Sequence, residues 1–257
     1  MAATLFYLDP LPREGERAVL DGPEGRHAAT VRRIGVGERL VLADGHGRVA
    51  DAEVVGAGKD RLELLIGRDR SVTAPTPRVT VVQALPKSER SELSVELATE
   101  AGADAIVPWQ ASRSVSRWEG PKAAKGVGRW RSAALRAAQQ SRRPVVPSVD
   151  ELHTTKGVAT LIADAVAGGA LVLALHEGAS SHLVDLPLTR VPHVVLIVGP
   201  EGGLSGDELA RFEAAGAATV LLGPQVVRTS TAAALALAAI GSATQRWRAT
   251  PFGEQPA

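Results

Sequence analysis

Five stretches of this chain are apolar at nearly every residue instead of every second one. They cover residues 79–85 (VTVVQAL), 105–108, 171–175, 193–198 and 218–222. A strand with one wet face alternates apolar and polar side chains, so a run without alternation suits a strand buried on both faces. Helical patterns lie beside the runs, among them a helix expected over 88–102 that stops on Gly102. The implied architecture is α/β, a parallel sheet with helices against both faces. A last helix is expected over 231–248. Ala and Leu occupy nearly every side of its first half, so it should be buried, within the chain or in a subunit interface.

The first seventy or so residues have a different texture. Short β-prone or alternating segments at 4–8, 39–43, 48–55 and 61–66 are separated by Asp21-Gly22, Asp44-Gly45 and further glycines. One helix is expected to interrupt them over 23–33. This reads as a small barrel-like β domain, and the uncharged stretch 71–77 (SVTAPTP) is the linker candidate. With 257 residues, 45% apolar and 22% charged, one or two globular domains is the expectation. The absence of Cys excludes disulfides, thiolate metal sites and a cysteine nucleophile. The wholly apolar run 232–240 is too short to span a bilayer, and the N-terminal residues lack a signal-peptide core. A cytoplasmic protein is expected, with no membrane partner.

Charge is unevenly placed. Between Gln110 and Arg143 nine basic residues face the single acid Glu119, a local balance of +8 in a chain whose total is +1. A solubilising face usually mixes signs, so this segment points to a polyanion. Aromatics make up only 3% of the chain, which argues against an aromatic base-stacking platform. Trp118 and Trp130 within the segment have two readings, stacking on bases or packing in the core.

Three of the apolar runs end in unusual loops: Leu175-His176-Glu177-Gly178, then Gly199-Pro200-Glu201-Gly202-Gly203-Leu204-Ser205, then Leu222-Gly223-Pro224-Gln225-Val226-Val227-Arg228-Thr229. In open α/β sheets ligands bind beyond the carboxyl ends of the strands, so the three loops should meet at one pocket. Gly199 and Gly202 are expected to give a ligand close access to the backbone. Ser205 and Glu208 have the spacing of a capping box opening a helix. No P-loop, GxGxxG, GxSxG or HxxxH pattern is present, and no metal site is expected.

These loops resemble the cofactor half of SPOUT-class RNA methyltransferases, and within that class the 16S ribosomal RNA (uracil-1498-N3)-methyltransferase family. The resemblance extends to Ala84-Leu85-Pro86-Lys87 with Arg90, to Ala98-Thr99-Glu100-Ala101-Gly102, to Pro108 with Arg113-Ser114, and to Arg129-Trp130 followed by Ala137-Ala138-Gln139-Gln140-Ser141-Arg142. It implies a SPOUT-type parallel sheet with a C-terminal trefoil knot over 73–250, binding S-adenosylmethionine and forming a homodimer. A PUA-like, RNA-binding β-barrel would precede it over 1–72. The implied partner is 16S ribosomal RNA or the small ribosomal subunit.

Carried onto this sequence, the resemblance gives Leu175, His176, Glu177, Gly199, Pro200, Glu201, Gly202, Leu222, Gly223, Val226, Val227 and Thr229 as cofactor-binding. Lys87, Arg90, Arg113, Arg117, Arg129, Arg142 and Arg143 are RNA-binding, and Arg228 is catalytic. Arg228 suits a base that becomes anionic, because its fork of donors is always charged. Glu177 and Glu201 each have three readings, proton acceptor, partner of ribose hydroxyls or cap of backbone N–H groups; His176 has two, base or packed, hydrogen-bonded side chain. Where the family often carries Glu, this chain has Ser230, which is given no catalytic role. Two alternatives share these features: an RNA 2′-O-ribose methyltransferase of the same fold, and a non-catalytic RNA-binding or ribosome-assembly module.

Overall fold

The computed structural model describes residues 4–248. They fall into two compact units, one of residues up to Ala74 together with Ala138–Val146, the other of Pro75–Ala137 and the described residues from Pro147 onward.

The first unit holds β1 (Leu5–Tyr7), β2 (Arg17–Leu20), α1 (Gly22–Arg26), β3 (Arg39–Ala43), β4 (Arg48–Gly58) and β5 (Arg61–Ser71). They form one sheet in the order β1-β3-β4-β5-β2. The β1–β3 pair is parallel and the other pairs are antiparallel. Burial along β4 and β5 alternates over much of each strand, as expected for a sheet with one wet face. Leu20, Leu40, Leu42, Leu62, Leu64 and Ile66 fill the core on the other face. The expected helix over 23–33 is α1 followed by a wider π turn over His27–Val31. The four residues of β2 were not anticipated, because a strand that short carries almost no periodic signal.

The second unit begins with β6 (Arg78–Ala84), α2 (Ser91–Glu100), β7 (Ala105–Gln110) and α3 (Pro121–Gln140). It continues through β8 (Ser148–Val149), β9 (His153–Thr154), α4 (Thr155–Ala167), β10 (Leu171–Leu175) and β11 (His193–Val198), then α5 (Gly206–Ala214), β12 (Ala218–Val220) and α6 (Thr229–Ala243). The sheet order is β12-β10-β11-β6-β7-β8, and every pair in it is parallel.

Both faces are covered. On β11, Val194, Leu196 and Val198 enter a cluster that contains side chains of α2, α3 and α6. The alternate residues Val195 and Ile197 enter a second cluster with Val158 and Ile162 of α4 and Phe212 of α5. This double burial is why the strands read as unbroken apolar runs. Helix α6 begins at Thr229 and ends at Ala243, shorter than the 231–248 expected.

Trp118 and Trp130 settle into the first of these clusters, edge to face with ring centroids 5.2 Å apart. The Trp130 indole N–H donates to Ser91 Oγ at 2.8 Å. The base-stacking reading therefore fails for Trp130, which has no exposed surface, and Trp118 keeps only 8% of its own.

Candidate functional site

Strands β12, β10 and β11 are parallel neighbours, so the loops that leave their carboxyl ends emerge on the same side. Those loops surround a cavity of about 560 Å³. Every residue expected to bind the cofactor lines it, from Leu175, His176 and Glu177 through Gly199, Pro200, Glu201 and Gly202 to Leu222, Gly223, Val226, Val227 and Thr229. Arg228, Arg90, Arg113 and Ser230 line it too.

Each loop is held by a specific contact. The first and third are tied together: His176 N–H donates to Val220, Leu183 N–H to Leu221, and Leu221 N–H to Ser181. In the second, Gly203 takes a left-handed φ of +69° while its N–H closes a turn onto Pro200. That conformation costs a residue with a Cβ far more than it costs glycine. The loop then enters α5 through the expected capping box, with Ser205 accepting from Glu208 N–H and Glu208 accepting from Ser205 N–H.

Glu208 does more than cap. It is 2% exposed, and its other oxygen accepts from Ser112 N–H at 2.8 Å and from the Thr155 hydroxyl at 3.3 Å. Burial opposes ionisation, but the hydrogen bonds from Ser112 and Ser205 outweigh it and hold the carboxyl below its usual range. One carboxylate thus fixes the second loop and the 111–114 loop together. Its capping role was legible from spacing; its reach to Ser112, 96 residues away, had no local signal.

The walls suit a ligand with an apolar, hydrogen-bonding ring. Leu175, Leu222 and Val227 are partly buried against the core. Among the described residues, the main-chain N–H groups of Leu222, Gly223, Val226 and Val227 have no hydrogen-bond partner. Free donors beside apolar walls are what recognition of a heteroaromatic base requires.

The glycines also have a reason within the chain. A Cβ on Gly202 would stand 3.1 Å from Arg113 Cβ, and one on Gly199 would stand 3.1 Å from Leu204 Cδ2. They permit a close approach of their own chain.

The remaining candidates separate. Arg113 donates to the carbonyls of Gly202 (3.1 Å) and Leu204 (3.4 Å), so it braces the second loop. Glu201 accepts from Lys87 N–H at 3.1 Å, and His176 Nδ1 accepts from Gly178 N–H at 3.0 Å; both have local structural work. Arg228 is exposed, its carbonyl starts α6, and its guanidinium has no partner among the described residues. Lys87, Arg117 and Arg129 line a second cavity, which also contains Lys122 and Lys125. Arg142 and Arg143 line neither cavity and belong to the segment clustered with the first unit.

Residues 73–241 match the family model for an RNA methyltransferase domain, and residues 20–67 match that for an RNA methyltransferase PUA domain. The ribosomal RNA small subunit methyltransferase E of Mycobacterium bovis is 54% identical over 97% of this chain and 95% of its own. The chain belongs to that methyltransferase E family. The Bacillus subtilis member is 30% identical over 89% of this chain and 91% of its own. The solved methyltransferase E from Neisseria gonorrhoeae, bound to S-adenosylmethionine, superposes with a TM-score of 0.82 at 26% identity, covering 93% of this chain and 97% of that one. A Legionella pneumophila methyltransferase in complex with S-adenosylmethionine gives 0.82 at 28% identity, covering 95% and 99%.

Proposed function

We propose that this protein transfers a methyl group from S-adenosylmethionine to N3 of a uracil in 16S ribosomal RNA, at the position the family is named for. The single observation that carries the reading is the convergence of three carboxyl-end loops on one cavity with Arg228 at its lip. The cofactor supplies a methyl already activated on a sulfonium. The chain's own residues have to hold it, orient the base and stabilise charge. Leu175, Leu222 and Val227 would pack against the cofactor's adenine, and the free N–H groups of the third loop would hydrogen-bond to it. Uracil N3 carries a proton, and its loss spreads negative charge onto O2 and O4. The unpaired guanidinium of Arg228 offers a planar pair of donors to that charge.

The same proposal divides the labour, with residues 1–72 gripping RNA and 73–250 carrying the chemistry, in the cytoplasm where ribosomal subunits are made. It includes a trefoil knot at the C-terminal end and a homodimer. The knot rests on the family to which the chain belongs; the dimer is supported by Leu93 and Leu235, exposed on α2 and α6. Sedimentation tests the dimer. Mass spectrometry of nucleosides from 16S RNA incubated with the protein and cofactor tests the reaction. N3-methyluridine is expected; methylation of a ribose 2′ hydroxyl, or none, overturns it.

A further inference from the structure

The second cavity, of about 670 Å³, lies in the same unit as the first, and two segments contribute residues to both. The segment after β6 gives Arg90 to one cavity and Lys87, Glu89 and Ser91 to the other. The segment after β7 gives Arg113 to one and Val115, Ser116 and Arg117 to the other. The Glu201–Lys87 hydrogen bond joins a residue of each.

Five cations (Lys87, Arg117, Lys122, Lys125 and Arg129) face this space with the single acid Glu89. Tertiary structure has already paired one of these five and two further members of the basic segment. Arg129 pairs with Glu92 at 3.2 Å, Arg131 with Glu151 at 2.8 Å and Arg136 with Glu96 at 4.0 Å. None of the ion pairs among the described residues involves Lys87, Arg117, Lys122 or Lys125.

Lys122 and Lys125 lie in the first two turns of α3, where the helix dipole is positive and disfavours cations. The first turn contains no acid to compensate, and Glu119 stands two residues before the helix. Helix stability therefore does not account for the two lysines. Val115, 68% exposed, adds an apolar surface among the charges. Cations beside an exposed apolar contact together match a phosphodiester with its base attached.

Resting on the methyltransferase reading above, we infer that this cavity seats the RNA nucleotide flanking the target uridine, with Lys122 and Lys125 on its phosphates. Neither lysine stood out in the sequence, because both belong to a charge run with nothing to rank its members.

The test is binding of full-length 16S RNA across a salt series, with cofactor binding measured alongside, for wild type, K122A/K125A, K122R/K125R and R131A. Removing two phosphate contacts should lower the slope of log affinity against log salt by about 1.4–1.8, from about 0.7–0.9 per contact. The KM for RNA should rise in parallel, while affinity for S-adenosylmethionine and the melting temperature stay at wild-type values. K122R/K125R should keep the slope. R131A removes a cation of the same charge run outside the cavity, so it should leave the slope unchanged. A K122A/K125A slope equal to wild type, or an R131A loss as large per charge, overturns the inference. A wild type that binds RNA with the expected slope but methylates nothing would instead overturn the proposed function.

Discussion

The Arg113 guanidinium donates to the Gly202 carbonyl at 3.1 Å, while Arg113 Cβ occupies the space a Cβ on Gly202 would enter. The second loop and the segment after β7 are therefore in contact through backbone and side chain at once. Gly202→Val must push this contact apart, which costs about 1–3 kcal/mol as overpacking of a close-fitted site. Thermal unfolding should show that loss, and calorimetry should show weakened S-adenosylmethionine binding with it. Wild-type stability with abolished cofactor binding would mean that the side chain fills ligand space instead.

Glu208→Ala removes the capping box and strands two donors, Ser112 N–H and the Thr155 hydroxyl. Losing the capping box costs about 1 kcal/mol, and the two partly buried donors left unpaired add up to about 1 kcal/mol each, so Glu208→Ala should be more damaging than a typical surface change. Urea denaturation measures it.

The same residue sets an acid limit. Its folded carboxyl titrates below the unfolded value, so the unfolded state takes up the proton first as pH falls. The stabilisation is complete above the ordinary carboxylate range and is lost as pH drops through the lowered folded value. Glu208→Gln should flatten that acid limb, read as unfolding free energy between neutral pH and pH 3.

Arg228→Ala should reduce single-turnover methylation by about 100- to 1,000-fold, the usual effect of removing one preorganised donor from developing negative charge. Arg228→Lys should recover part of it, since an ammonium cannot present two parallel donors. Raising the pH should partly rescue the Ala variant, because N3 loses its proton more readily. An Ala variant that fails only by weaker RNA binding would make Arg228 a positioning residue.

Arg246 follows α6 and closes the second unit. Its guanidinium, 5% exposed, bonds to Asp104 at 2.9 Å and to the carbonyls of Pro77 and Gly102. Arg246→Ala removes the ion-pair partner of Asp104 and the donor to the Pro77 and Gly102 carbonyls together, so it should cost about 3–5 kcal/mol. Arg131→Ala breaks the exposed pair with Glu151 and should cost under about 1 kcal/mol. Chemical denaturation of the two variants tests the contrast.

The sequence by itself determined the parallel sheet and the meeting of three loops at one cavity, because both are written locally. Double burial leaves strands such as β6 and β11 without alternation, and a glycine-rich loop at each carboxyl end is visible as spacing. Tertiary structure alone decided which charges and aromatics were free to act. Arg129, Arg131 and Arg136 read like Lys122 and Lys125 in the chain, yet they meet Glu92, Glu151 and Glu96 from other segments. Trp130 could have faced solvent from a helix this basic; the packing of α3 on the sheet turned it inward to Ser91. Glu208 announced a helix cap and nothing of its bond to Ser112. In each case the deciding partner lies far away in sequence, and the energy of pairing or burial exists only once the chain has brought the two together.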